Sequence, residues 1–297
     1  MKKLTLLVFL SATLIAVRID AQNFFFSTGL PDGKIATASR LDSPGKFEIE
    51  SADDFVLTRG INITSATFTG LLPAGATIGE VQVEIYRVFP NDSDVSRTSG
   101  PPTFSTLQVP TRVNSPSDVA LDSRNSLPAG GLSFTTTDLG AFSALNSVTP
   151  GGIHPMPGQT TGGNGVVTGQ EVQFNISFTS PFNLPADHYF FVPQVELTGA
   201  NDNFFWLSAP RPIVPPGTPF PPGFTDLQAW TRDANLDPDW LRVGTDIVGG
   251  NPAPTFNMAF SLAGVPDAGS TALLLGGALG ALFYLKRRMD RRSAVGR

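Results

Sequence analysis

Apolar and polar residues alternate with a period of two in short runs along much of this chain, a pattern that suits half-buried strands and little else. Val81, Val83 and Ile85 alternate with Gln82 and Glu84; Val172, Phe174, Ile176 and Phe178 alternate with Gln173, Asn175 and Ser177. Successive side chains of a strand point to opposite faces, so each run has one greasy face and one wet one. Further strands are expected over residues 54–57, 61–72, 132–137, 189–197, 203–208, 240–243 and 255–262. Helical periodicity is nearly absent; only residues 225–232 suit a helix, with Thr225 capping a short turn before Leu227 and Trp230. Gly (30) and Pro (26) make up about 19% of the 297 residues, below the roughly 25–30% of low-complexity disorder, and they punctuate the strand runs. The expected fold is therefore all-β: an antiparallel β-sandwich, jelly-roll-like, with phenylalanines filling much of its core. Residues 90–128 and 149–169 read as long surface loops. The proline-rich segment 209–224 reads as a stiff loop packed on the domain through Phe220 and Phe224.

Both ends depart from this pattern. Lys2 and Lys3, an apolar run over residues 4–17 and the small residue Ala21 follow the order of an export signal, with cleavage expected after Ala21. The run is shorter than the roughly 20 residues of a full span, which disfavours an uncleaved membrane helix. At the other end Val265, Pro266, Asp267, Gly269, Ser270 and Thr271 precede an apolar run over 272–285, and then come Lys286, Arg287, Arg288, Arg291 and Arg292. As a helix, residues 268–285 would extend about 27 Å at about 1.5 Å per residue, close to the roughly 30 Å of a hydrocarbon core. Flanking Lys and Arg resist translocation, so the basic end stays cytoplasmic and the body lies outside. The expected division is a signal peptide at 1–21, a β-sandwich body at 22–264 and a tail at 265–297. That tail consists of a motif at 265–271, a transmembrane helix at 272–285 and a basic end at 286–297.

Val265-Pro266-Asp267-x-Gly269-Ser270-Thr271, followed by a Leu/Gly/Ala span and an arginine cluster, resembles the PEP-CTERM class of sorting tails in its VPDSG form. The resemblance covers about the last 30 residues. It implies a partner, the membrane transpeptidase exosortase, which is thought to cut near the motif and release the protein or re-attach it at the surface. Asp267-Ala268 stands where the commoner form has Glu-Pro. A plain single-pass anchor is the other reading of this end.

The body carries 11 Lys and Arg against 22 Asp and Glu, a balance of −11. Such a surface repels phosphate backbones, which argues against nucleic acid as a partner. With 0 Cys there are no disulfides, no thiolate metal site and no thiol nucleophile. The body's histidines are His154 and His188, and no Gly-x-Ser-x-Gly elbow, His-Glu-x-x-His helix or phosphate-cradling loop occurs, so no catalytic residue is assigned. Calcium is the ion that clustered acids would suit, through Asp92 and Asp94 or through Asp233, Asp237 and Asp239, with Asp53-Asp54 as a further contributor; ordinary turn chemistry explains the same residues. Trp206, Trp230 and Trp240, with Tyr189, suit a sugar-stacking platform or, equally simply, core packing. The reading that results is a non-enzymatic, exported cell-surface or extracellular-matrix protein, held transiently in the membrane and associated with exopolysaccharide. A carbohydrate-binding β-sandwich module is the second reading. A secreted glycoside hydrolase, which needs only two placed carboxylates, is the third.

Overall fold

The computed structural model describes residues 23–97, 109, 111–149, 160–198 and 203–267. The expected signal segment, the apolar run 272–285 and the basic end lie outside them, and no helix among the described residues is long and apolar enough to cross a membrane. The chain is mostly β. Its strands are β1 (Phe24–Ser27), β2 (Ile35–Ala38), β3 (Ile49–Leu57), β4 (Ile61–Leu72), β5 (Thr77–Arg87), β6 (Asp122–Asn125), β7 (Leu132–Ala144) and β8 (Asn146–Val148). They continue with β9 (Val167–Leu184), β10 (Asp187–Thr198), β11 (Phe205–Ala209), β12 (Trp230–Asp233), β13 (Leu241–Arg242), β14 (Asn257–Met258) and β15 (Phe260–Pro266).

Two sheets result. A nine-stranded sheet runs β1-β15-β4-β11-β2-β8, with β14 beside β11, and with β9 and then β7 on the far side of β4. A six-stranded sheet runs β13-β12-β3-β10-β5-β6. The pairings are antiparallel except that β2 and β8 run parallel. Phe191 of β10 joins the sheets: its ring stacks on Phe260 of β15 at 5.1 Å and meets Trp206 of β11 at 6.0 Å and Phe68 of β4 at 6.4 Å. Phe68 in turn stacks on Phe174 of β9 at 4.6 Å, and Phe204 meets both edge-on. Each such ring contributes about 1.5–3 kcal/mol when taken from water, so the inward half of the alternating pattern supplies the core. Gly70 makes room for it, since a Cβ there would sit 2.2 Å from the Phe204 ring.

The long runs were legible in outline. β4 coincides with its expected span, while β7 and β9 run well past theirs. Residues 225–232 do not form the expected helix: Trp230–Asp233 is strand β12, opposite Ala52, Ser51, Glu50 and Ile49 of β3. A short local helix preference was outweighed by burying Trp230 in a sheet register. The expected loops also hold strands, β6 in the first and the start of β9 in the second. All nine residues of β3 are buried, including its acids, because the segments around 111–120 and 225–240 fold over the outer face of the six-stranded sheet. Trp240 Nε1 donates to the Ser117 carbonyl at 3.0 Å within that cover. The 209–224 segment packs through Phe220, whose ring meets Phe26 at 5.5 Å.

Candidate functional site

The C-terminal motif begins inside the sheet. β15 lies between β4 and β1, and it runs past Gly264 so that Val265 faces Asn62 and Pro266 faces Ile61. The Asp267 N–H then donates to the Gly60 carbonyl at 3.1 Å. β1 stops opposite Gly264, so beyond it β15 keeps one partner and Val265 is exposed. The register shifts between Ala263 and Gly264, and a Cβ on Gly264 would stand 2.4 Å from the Asn62 carbonyl oxygen. Glycine is the residue that fits this bulge. Because Phe24 faces Gly264, the chain enters the body and leaves it at neighbouring points. Gly269, Ser270, Thr271, Lys286, Arg287, Arg288, Arg291 and Arg292 lie outside the described residues.

The tryptophan platform is corrected. Trp206, Trp230 and Trp240 are 0%, 1% and 1% exposed, so no indole face is open to a sugar. Trp206 sits between the sheets with Nε1 donating to the Ala259 carbonyl at 3.0 Å, whereas Trp230 and Trp240 lie under the cover of the other sheet. Amphipathic rings with a satisfied N–H are ordinary core residues.

The acids expected to suit calcium are each engaged by other groups of the chain. Asp92 pairs with Arg87 at 3.1 Å, and Asp94 Oδ1 accepts the Ser96 N–H at 2.9 Å. Asp233 accepts the N–H groups of Asn235 and Leu236, Asp237 pairs with Arg232 at 2.8 Å, and Asp239 faces Arg112 at 3.6 Å. Among the described residues no three His, Asp or Glu side chains gather as metal ligands. Arginines and turn N–H groups take up these carboxylates in the fold.

The structure assembles a polar network that spacing along the chain does not announce. Arg232 of β12 forks onto Glu50 of β3 and donates to the Tyr86 hydroxyl at 2.9 Å. That hydroxyl lies 2.6 Å from Glu50 and 2.9 Å from Glu84, both of which it can serve as donor or acceptor. Gln82 bridges Glu84 and Gln194, and Gln194 donates to Glu48 at 2.7 Å. Burial first, and the neighbouring Glu50 second, push the Glu84 carboxyl up to about 8. A consistent arrangement of hydrogen bonds follows: Tyr86, whose hydroxyl burial keeps protonated, donates to Glu50, and protonated Glu84 donates to Tyr86. Fully satisfied buried networks of this kind rigidify a fold, and removing a member leaves the others exposed to the full cost of burial.

A second buried group surrounds β3. Asp53 points into the sandwich, where Oδ2 accepts the Met258 N–H of β14 in the facing sheet at 2.7 Å. Asp54 points the other way, accepting the Leu227 N–H at 3.0 Å and meeting His188 Nε2 at 2.6 Å. Burial raises both carboxyls and lowers His188 to about 4, so the group holds its shape with little net charge. These acids staple elements together, which accounts for their presence in an otherwise apolar strand.

Two open grooves lie on the outer face of the nine-stranded sheet. One groove, of about 540 Å³, has a hydroxyl-rich floor. Across it run Phe25, Ala263, Ser65, Ser177 and Ser133 in one row, and Ser261, Thr67, Asn175 and Thr135 in the next. No charged side chain lines it, and Phe25, 57% exposed, stands at its rim. A second groove of about 480 Å³ adjoins it past Phe25 and Thr67.

Residues 264–289 match the family model of the VPDSG-CTERM motif, a variant of the PEP-CTERM-type sorting signal. The match begins at the bulge glycine and takes in the exposed end of β15. It implies an exported protein handled by an exosortase-type membrane enzyme. No curated protein and no solved structure matches the chain.

Proposed function

Taking the VPDSG-CTERM signal as premise, we propose that this chain is a non-enzymatic surface or extracellular-matrix protein whose β-sandwich is displayed outside the cytoplasm after its tail is processed. One observation carries the reading: the sorting signal grows directly out of an interior strand, so a folded body presents it at an exposed strand end next to its own entry point. The apolar run 272–285 lodges in the bilayer during sorting, with the basic end trapped inside. A structural role for the body is supported by its acids, which are tied to arginines, backbone N–H groups and His188. A hydrolase finds less support, because Glu50 and Glu84 of the network share the Tyr86 hydroxyl under Arg232, with Glu50 only 4% exposed. Mass spectrometry of the protein from envelope and medium tests the reading. The expected mature chain begins after Ala21 and lacks Arg297, and deleting 264–289 abolishes surface retention; an intact Arg297 in the exported protein overturns it.

A neutral glycan is the second reading, favoured by the uncharged hydroxyl floor with Phe25 at its rim rather than by the tryptophans. In a body this acidic, an uncharged face suits a ligand without charge. Neutral glucan oligosaccharides should then bind in titration calorimetry and Phe25→Ala should weaken them about tenfold, the worth of one lost stacking contact of about 1.4 kcal/mol. Equal binding by the variant would dismiss the groove.

A further inference from the structure

β7 closes one side of the nine-stranded sheet. It pairs with β9 along its whole length, and among the described residues no strand pairs with its other side. Residues 135–141 are all exposed, Leu139 to 49%. A row of unpaired N–H and C=O groups is a template for another strand, and proteins ordinarily blunt long edges with lysine, proline or a very short strand. The other outer strands among the described residues are short: β1 and β6 have four residues, β6 with Asp122 and Arg124, β8 has three, and β13 and β14 have two. β7 has 13 residues and holds no Lys, Arg or Pro. Its single charge, Asp138, is turned back onto the Gly140 N–H and the Gln170 amide.

We propose that β7 pairs antiparallel with β7 of a second copy of this chain, about a two-fold axis through Thr136, so that the nine-stranded sheet continues from one copy into the next. The strand is self-complementary in that register. Thr136 faces Thr136, Thr135 faces Thr137 and Phe134 faces Asp138, so hydroxyl-bearing β-formers meet and the two acids do not. The register shift at Asp138–Gly140 ends the flat part of the edge and limits the match to residues 134–138. A contact this short is reversible, and crowding of copies at a surface raises its occupancy through effective concentration.

The chain's lack of cysteine makes the register testable. Facing Cα atoms of an antiparallel pair are about 4.5–5.5 Å apart, inside the roughly 4.4–6.8 Å that a disulfide spans. In the processed protein, Thr136→Cys should therefore cross-link to itself under mild oxidation about tenfold or more faster than Leu139→Cys, which lies off the axis. Light scattering across a concentration series should show the wild-type mass rising toward twice the monomer. Thr136→Lys, which sets two like charges face to face, should stay monomeric with an unchanged thermal melt. The proposal is overturned if Thr136→Cys links no faster than Leu139→Cys, as it would if an unrelated peptide or another segment of the chain covered the edge. It is equally overturned if Thr136→Lys associates as the wild type does.

Discussion

At the scale of single residues, the acids of this chain matter by where their protons sit. Glu84 holds its proton in the folded chain up to about 8, whereas an ordinary glutamate loses it near 4.5. Between those values the folded state binds more protons than the unfolded one, so its stability falls as pH rises. Asp53 and Asp54, also raised by burial, act in the same direction. His188 acts oppositely: it stays neutral when folded down to about 4, so stability falls as pH drops from its ordinary 6.5. The two slopes oppose each other through mild acid, and above pH 6.5 the carboxyls act alone. Denaturant unfolding should show stability declining from pH 6.5 to 8, and Glu84→Gln, which mimics the protonated acid, should flatten that decline by about one proton. An unchanged slope would place the buried proton elsewhere. None of this was visible along the chain, since Glu48, Glu50, Glu84, Tyr86 and Arg232 come from three separate strands and a loop.

Among the elements, β15 carries the most consequence. It is an interior strand, paired on both sides up to Gly264, and its last residues open the sorting motif. Shortening the chain should therefore have sharply different effects on either side of Asp267. A chain ending at Asp267 should keep a cooperative melt, because every sheet register survives. One ending at Ala259 should lose it, since β1 would be stripped of its partner, β4 would lose one of its neighbours and Phe260 would leave the core. Circular dichroism melts of the two truncations decide the point. Alternating residues at 255–262 announced a strand here, but the bulge at Gly264 and the continuation to Pro266 depend on β4 lying alongside. Similarly, Thr225, Leu227 and Trp230 suit a helix in isolation, and only β3 as a neighbour turns their end into β12.

On the scale of the whole molecule, the two sheets are held by one aromatic cluster crossing between them, with Phe191 at its centre. Phe191→Ala should cost about 3–5 kcal/mol, the usual price of a large cavity in a close-packed core; a loss below about 1 kcal/mol in denaturant unfolding would mean that the sheets are joined chiefly elsewhere. The sandwich class, the longest strands and the sorting tail were readable from the order of residues, because each depends on neighbours in sequence: a period of two, a short motif, a greasy run, a basic end. The burial of the tryptophans, the arginine-held acids, the hydroxyl groove and the open side of β7 were not. Each of those is a property of which strands lie next to which, set by long-range packing between segments up to 240 residues apart, as in Phe24 against Gly264.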